Sequence, residues 1–441
     1  MIISLTGCNG TVDPQMQSQN LNNAVGDAGT GEENPEGKTN DVTPGESTGT
    51  DTGDDIWGDY ADRNRRAEEV LTSNQKTHPL SKFGFQLLKQ TIKQDGTKEN
   101  VLLSPLSVIL ALYMTANGAD GKTKDQMIQV LGDDLNDYLK AYQIRLPHGD
   151  GYKMHIANGI WFRDDATLKV NDDFLKTNEH YFDAALYKAP FNETTCKEIN
   201  NWVKEHTDGM IDSILDEISA DAMLYLINAL SFDAEWERIY RESSVFEGQI
   251  FTKEDGTKQK TTLMYSEEST YLEDKKATGF VKYYKDRKYA FVALLPKEGV
   301  TMAEYVEYLN AENFHKLMSK AKTTTVNAAL PKFETEYDIL LNDVLIKMGM
   351  TDAFLGSKAD FSKMATCDDG NLYISRVLHK TFIAVDERGT KAGAVTAVEM
   401  TKDSAMMESY TVRLDRPFVY MLIDCETNQP LFIGTMTDVE K

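Results

Sequence analysis

The run from Val385 to Met400 constrains this chain more than any other stretch. From Thr390 onward its even positions are Thr390, Ala392, Ala394, Thr396, Val398 and Met400, all small or apolar. Both charges in that span, Lys391 and Glu399, fall at odd positions. A period of two is that of a strand, with one face able to enter a core and the other facing water. The alternation then stops. Thr401 to Ser409 mixes Lys402, Asp403, Ser404, Met406, Met407 and Glu408 with no period. A strand-competent segment therefore runs directly into an exposed loop.

The rest of the chain must supply the sheet. It has 441 residues, enough for one large domain or two to three ordinary ones. Residues 1–77 hold 14 acidic and five basic residues, which is -9 of the total charge of -23 and leaves -14 to the remainder. So acidic a chain repels nucleic acid and anionic membrane surfaces, which excludes DNA, RNA and heparin as ligands. No apolar run is long enough for a membrane-spanning helix.

Four cysteines, Cys8, Cys196, Cys367 and Cys425, lie far apart with no C-x-x-C pair, which argues against a zinc site or a disulfide framework. The last three read as small buried hydrophobes. Cys8 differs. Leu5-Thr6-Gly7-Cys8 resembles a bacterial lipobox, in which the cysteine is lipidated and becomes the mature N-terminus. The residues before it carry no Lys or Arg, so residues 1–8 read as the remnant of a lipoprotein signal. Within residues 9–75, Asn9 to Asp55 is rich in Gly, Asn, Asp, Thr and Glu and nearly empty of large apolar side chains, and Ile56-Trp57 with the Arg63–Arg66 patch reads as a transition into structure. That composition cannot offset chain entropy, so the segment reads as a disordered acidic tether.

Residues 76–441 read as the folded domain. Leu80, Phe83, Leu87 and Leu88 have helical spacing, and Asp95-Gly96 ends that helix. Asn100 to Leu103 is a short buried strand. Ser104-Pro105 gives an N-cap and a proline at the first helical position, before an apolar helix to Ala116. Thr123 to Gln126 reads as a capping box into Met127–Leu131, and Ile199 to Val203 as the start of an amphipathic helix. Core strands are expected at His155–Phe162, Leu224–Phe232, Tyr289–Pro296, Lys332–Glu336 and Lys380–Asp386, with a closing hairpin of Phe418–Ile423 and Leu431–Gly434. Early helices and late strands indicate an α+β class. There is no G-x-S-x-G, H-E-x-x-H, Walker or G-x-G-x-x-G motif, and the seven histidines have no ligand-like spacing. No catalytic set, metal or cofactor is indicated.

Several segments together resemble the serpin family. They include Asn100-Val101-Leu102-Leu103-Ser104-Pro105-Leu106-Ser107, Asn117-Gly118-Ala119-Asp120-Gly121-Lys122-Thr123 and Asn228-Ala229-Leu230-Ser231-Phe232 with Trp236. Further matches are Leu330-Pro331-Lys332-Phe333-Glu334, Ala359-Asp360-Phe361-Ser362, Val377-Leu378-His379-Lys380, Arg416-Pro417-Phe418-Val419 and Pro430-Leu431-Phe432-Ile433-Gly434. The resemblance implies three β-sheets, eight or nine helices and an exposed reactive loop, here about residues 387–412. It implies no enzyme but a suicide-substrate inhibitor of serine proteases, and of some cysteine proteases. The loop is cut, an acyl-enzyme forms, and the freed segment inserts as a strand of the large sheet.

The same resemblance assigns roles. Glu387, Gly389, Thr390, Ala392, Ala394 and Thr396 form the hinge. Gly393 and Val395 depart from the family's usual small residues there, at outward-facing parity. Ser104, Ser107, Asn228 and His379 match the polar cluster where the large sheet parts. Trp236 matches the aromatic under the loop's entry point, and Lys332 pairs with Glu387 at the loop base. The reactive bond falls at Lys402–Asp403, with Ser404, Met406 and Met407 as alternatives. Lys402 suits a trypsin-like protease and the methionines an elastase- or subtilisin-like one. The expected molecule is a monomer at a bacterial cell surface, outside the cell or in the periplasm, touching membrane only through a lipid on Cys8. A non-inhibitory serpin acting as a binding protein is the competing expectation.

Overall fold

The near-continuous apolar run Ala222–Glu235 forms a strand buried along most of its length, and the large sheet is assembled around it. A computed structural model describes residues 1–7, 60–73, 78–146, 151–368, 370–390 and 409–440. The strands of the large sheet are β1 (Ile2–Gly7), β2 (Tyr152–Arg163), β3 (Ala185–Ala189), β4 (Ala222–Glu235), β5 (Phe333–Leu340), β6 (Leu372–Val385) and β7 (Gly389–Thr390). Across the sheet the order is β5, β6, then β1 and β7 in a shared position, then β4, β2 and β3. Among the described residues, only the β2–β3 pair in this sheet is parallel.

A second sheet of nine strands includes Val101–Leu103, Lys322–Pro331, Ser409–Arg413 and the closing hairpin Phe418–Asp424 with Gln429–Met436. A third is the pair Leu168–Val170 with Ala365–Cys367. The α+β, three-sheet architecture is thus the one expected.

The apolar helix Pro105–Ala116 is buried on every side. It starts as the sequence indicates, with the Ser104 hydroxyl accepting from the Ser107 amide at 3.3 Å and a proline at the first turn. The main core lies between the sheets. A second cluster forms where Trp161 and Ile227 meet Ile199, Trp202 and Val203 of the helix Glu193–His206.

Several expectations are corrected. Tyr60–Ser73, read as part of the tether, is an α-helix. Its buried Ala67 and Leu71, one turn apart, face the helix Asn136–Arg145. Two apolar positions in a charged run made too weak a pattern, and tertiary contact supplies the rest. With it the described residues hold ten α-helices rather than eight or nine.

Thr123 is no cap. The helix begins at Gly121, and the buried Thr123 hydroxyl accepts from the Asp360 amide at 3.0 Å. The amphipathic helix starts at Glu193, where Asn192 accepts from the Thr195 amide at 3.1 Å. At the other end, Ser409–Arg413 is a strand parallel to Lys322–Pro331 rather than loop, so the expected limit of 412 is too late. Residues 2–7, read as signal remnant, form β1, buried at every position.

Candidate functional site: the loop base and the cleft of the large sheet

β6 ends at Val385, and the chain reverses over Asp386 to Arg388. The Asp386 carboxylate accepts from the amides of Arg388 at 2.8 Å and Gly389 at 3.1 Å, and the Asp386 amide donates to the Gly389 carbonyl at 3.0 Å. This turn feeds β7 back between β6 and β4, with Thr390 opposite Val385 on one side and Ala234 on the other. Gly389 is required there, because a Cβ would lie 2.0 Å from the Ala234 carbonyl oxygen. Thr390 is buried, and its hydroxyl is 2.6 Å from that of Tyr284. Two hinge residues are therefore already strand.

Trp236 lies beneath this entry point. It is buried, stacks on Tyr284 at 4.4 Å, and donates through Nε1 to the Asp386 carbonyl at 2.9 Å. The backbone adds two more ties, Trp236 N–H to Arg388 O at 2.7 Å and Tyr240 N–H to Glu387 O at 2.8 Å. Sequence reasoning missed the group below. The buried Lys282 ammonium sits 2.9 Å from Glu268, and 5.3 and 4.2 Å from the ring centroids of Trp236 and Tyr240. Its available signal was a lysine inside the apolar run Phe280-Val281-Lys282-Tyr283.

Lys332 and Glu387 form an ion pair at 2.9 Å at the loop base. The bond to Glu387 pushes the Lys332 ammonium above its ordinary pKa. Partial burial pushes the Glu387 carboxyl upward, but the Lys332 bond leaves it lower than an ordinary glutamate.

Deeper in the sheet, Ser104, Ser107 and His379 are joined by hydrogen bonds. The Ser104 amide donates to His379 Nε2 at 3.0 Å, and its hydroxyl donates to the Leu431 carbonyl at 3.0 Å. Asn228 is bonded elsewhere, donating to Asn158 Oδ1 at 2.9 Å, while Asn158 donates to the Phe182 carbonyl at 2.7 Å. All four expected residues nonetheless line one cavity, together with Thr390 and Met1. Asn228 Oδ1 and His379 Nδ1 are buried there without a hydrogen-bond partner among the described residues. Such orphan atoms are costly and mark a place poised to rearrange.

That cavity lies between β4 and β6. β4 and β6 are not paired with each other among the described residues; β7 separates them at one end and β1 at the other. Ala392, Ala394, Thr396, Lys402, Asp403, Ser404, Met406, Met407 and Cys8 lie outside the described residues. The loop's far end is anchored in the second sheet, where Tyr410 stacks on Tyr271 at 3.9 Å.

Residues 78–439 match a family model described as Serpin (serine protease inhibitor). An uncharacterized serpin-like protein of Thermococcus kodakarensis is 31% identical over 385 residues, spanning 83% of this chain and 87% of the relative. The native-state crystal structure of tengpin, a thermophilic serpin, is 49% identical, with TM-score 0.77 over 82% of this chain and 93% of that one. Human thyroxine-binding globulin complexed with thyroxine shares the fold, at 23% identity and TM-score 0.73 over 84% of this chain and 99% of that one.

Proposed function

The chain belongs to the serpin family, and from that premise we propose that it is a suicide-substrate inhibitor of trypsin-like serine proteases. The observation that carries this reading is the seated hinge. Gly389 and Thr390 already occupy the first rungs between β4 and β6, and among the described residues no strand fills the rungs from there to Met1. The residues that follow at inward parity, Ala392 and Ala394, are small enough to enter. Each ladder bond gained on entry contributes a net ~0.5–1.5 kcal/mol. Filling the cleft therefore releases free energy that the native state withholds.

In this reading the target protease cuts after Lys402. The serine forms an ester with the Lys402 carbonyl, the Asp403 amine leaves, and the freed hinge enters the cleft before water hydrolyses the ester. Small side chains serve speed, because the race is against deacylation. A bulky or charged inward residue would slow entry and let the protease escape.

Incubation with trypsin, read on a denaturing gel, tests the proposal. The expected product is a band of combined mass, with the small released fragment beginning at Asp403. A chain that is merely clipped by trypsin, elastase and subtilisin would sink it. The reading left standing would then be a binding protein, the activity that the thyroxine complex of the globulin exemplifies.

A further inference from the structure

The cleft is entered from both ends by segments far apart in sequence. β7 enters beside Ala234 and Val385. β1 lies further down, with Ile2 opposite Ile227 of β4 and Leu378 of β6, and Ile3 opposite Leu226 and Val377. Ser4 stands opposite Tyr225 and Arg376.

The register of β7 can be carried down either ladder. Were β7 continued from Thr390 against Ala234, Ala397 would fall opposite Ile227, Val398 opposite Leu226 and Glu399 opposite Tyr225. Continued from Thr390 against Val385, the same residues would fall opposite Leu378, Val377 and Arg376. Both ladders therefore assign Ile2, Ile3 and Ser4 the rungs of Ala397, Val398 and Glu399. Parity agrees as well. Ile3 and Leu5 enter the main core, on the face where Val398 and Met400 would enter, while Ile2 packs in the second cluster with Ile199 and Trp202. A one-residue slip would have reversed every one of these assignments.

We propose that Ile2–Gly7 is a self-donated strand that holds the lower half of the cleft, and that the reactive loop must displace it to insert beyond Val395. The inference rests on the reading of this chain as an inhibitor that works by loop insertion. β1 is built to be displaced. Its pairing breaks register on both sides, between Ser4 and Leu5 against β6 and between Leu5 and Thr6 against β4. The buried Thr6 hydroxyl has no hydrogen-bond partner among the described residues. β1 spans Ile2–Gly7, so hydrolysis of the Gly7–Cys8 peptide bond by a signal peptidase, the cut that processes a lipobox, would remove it whole. The chain that keeps residues 2–7 is the restrained inhibitor, and the chain that has lost them is the ready one.

Hydrogen exchange read by mass spectrometry tests this on the full chain, before and after trypsin cuts the loop. The amides of residues 2–7 should exchange at least ~100-fold slower than unstructured chain before the cut. After the cut they should lose that protection while residues 397–400 gain it. Leu5→Asp should expose residues 2–7 from the outset, and deletion of residues 1–8 should raise the fraction of protease trapped. Fast exchange at residues 2–7 in the uncut chain overturns the proposal, as does protection of both segments together after the cut. If residues 397–400 stay unprotected after the cut, the deletion decides. Protection gained only in the deleted chain supports the blocking strand, whereas none in either chain overturns loop insertion itself and the present inference with it.

Discussion

His379 is the side chain whose burial ties the stability of the large sheet to pH. It is fully buried, and it holds the Ser104 amide through Nε2. Burial pushes its pKa well below the ordinary histidine value, so the ring is neutral at pH 7. A depressed folded-state pKa gives stability that is present above the unfolded value near 6.5. That stability is lost as pH falls towards the folded value. The unfolding free energy from urea titration should therefore drop between pH 7 and pH 5, by up to about 1.4 kcal/mol per pH unit for one such group. His315, pushed down to about 4 by burial and by the neighbouring His78, adds a slope of the same sign. The measurement is therefore a comparison: His379→Gln should flatten the slope relative to the parent chain, and an unchanged slope would remove His379 from the account. Gly389 acts differently, through what it lacks, since any side chain there meets the Ala234 carbonyl.

Among the elements, β7 spans two described residues and is tied down by several contacts. Two residues cannot hold a strand by ladder bonds alone. The Asp386 turn, the Trp236 indole and the Tyr284 hydroxyl share the task. The Lys332–Glu387 pair adds little free energy by comparison, because both side chains are partly in solvent. A double-mutant cycle with Lys332→Ala and Glu387→Gln, followed by urea unfolding, should give a coupling of about 0.2–1 kcal/mol that shrinks in 1 M salt. The raised Lys332 pKa and lowered Glu387 pKa keep both charges in place across neutral pH. A coupling of several kcal/mol would mean that the pair is effectively dry and a principal lock on the loop. The sequence showed this element's parity through Thr390. It did not show Lys282 and Glu268 beneath, because a buried ion pair whose members are separated by a strand turn leaves no periodic trace.

At the scale of the molecule, the proposed inhibitory mechanism makes the cleft between β4 and β6 the store of free energy. Carrying β7 down to Val395 would add backbone bonds to both neighbours, on the order of ten kcal/mol gross at ~1 kcal/mol per bond. Ordering those residues costs about 1–2 kcal/mol each. The net gain of a few kcal/mol should raise the melting temperature by roughly 10 °C after the loop is cut, at about 2–4 °C per kcal/mol. Differential scanning calorimetry of cut and uncut chain checks this, and equal melting temperatures would mean that the loop does not enter.

The sequence by itself carried the alternation that places Thr390 at the inward parity, where it is buried, because alternation needs no partner to be read. It also determined the start of the helix Pro105–Ala116, because capping is a local interaction. Tertiary structure alone decided the places of Ile2–Gly7 and Tyr60–Ser73. A six-residue strand and a helix with two buried apolar positions have little stability of their own. Their conformations are set by ladders and faces contributed from segments distant in the chain, and no local pattern carries that information.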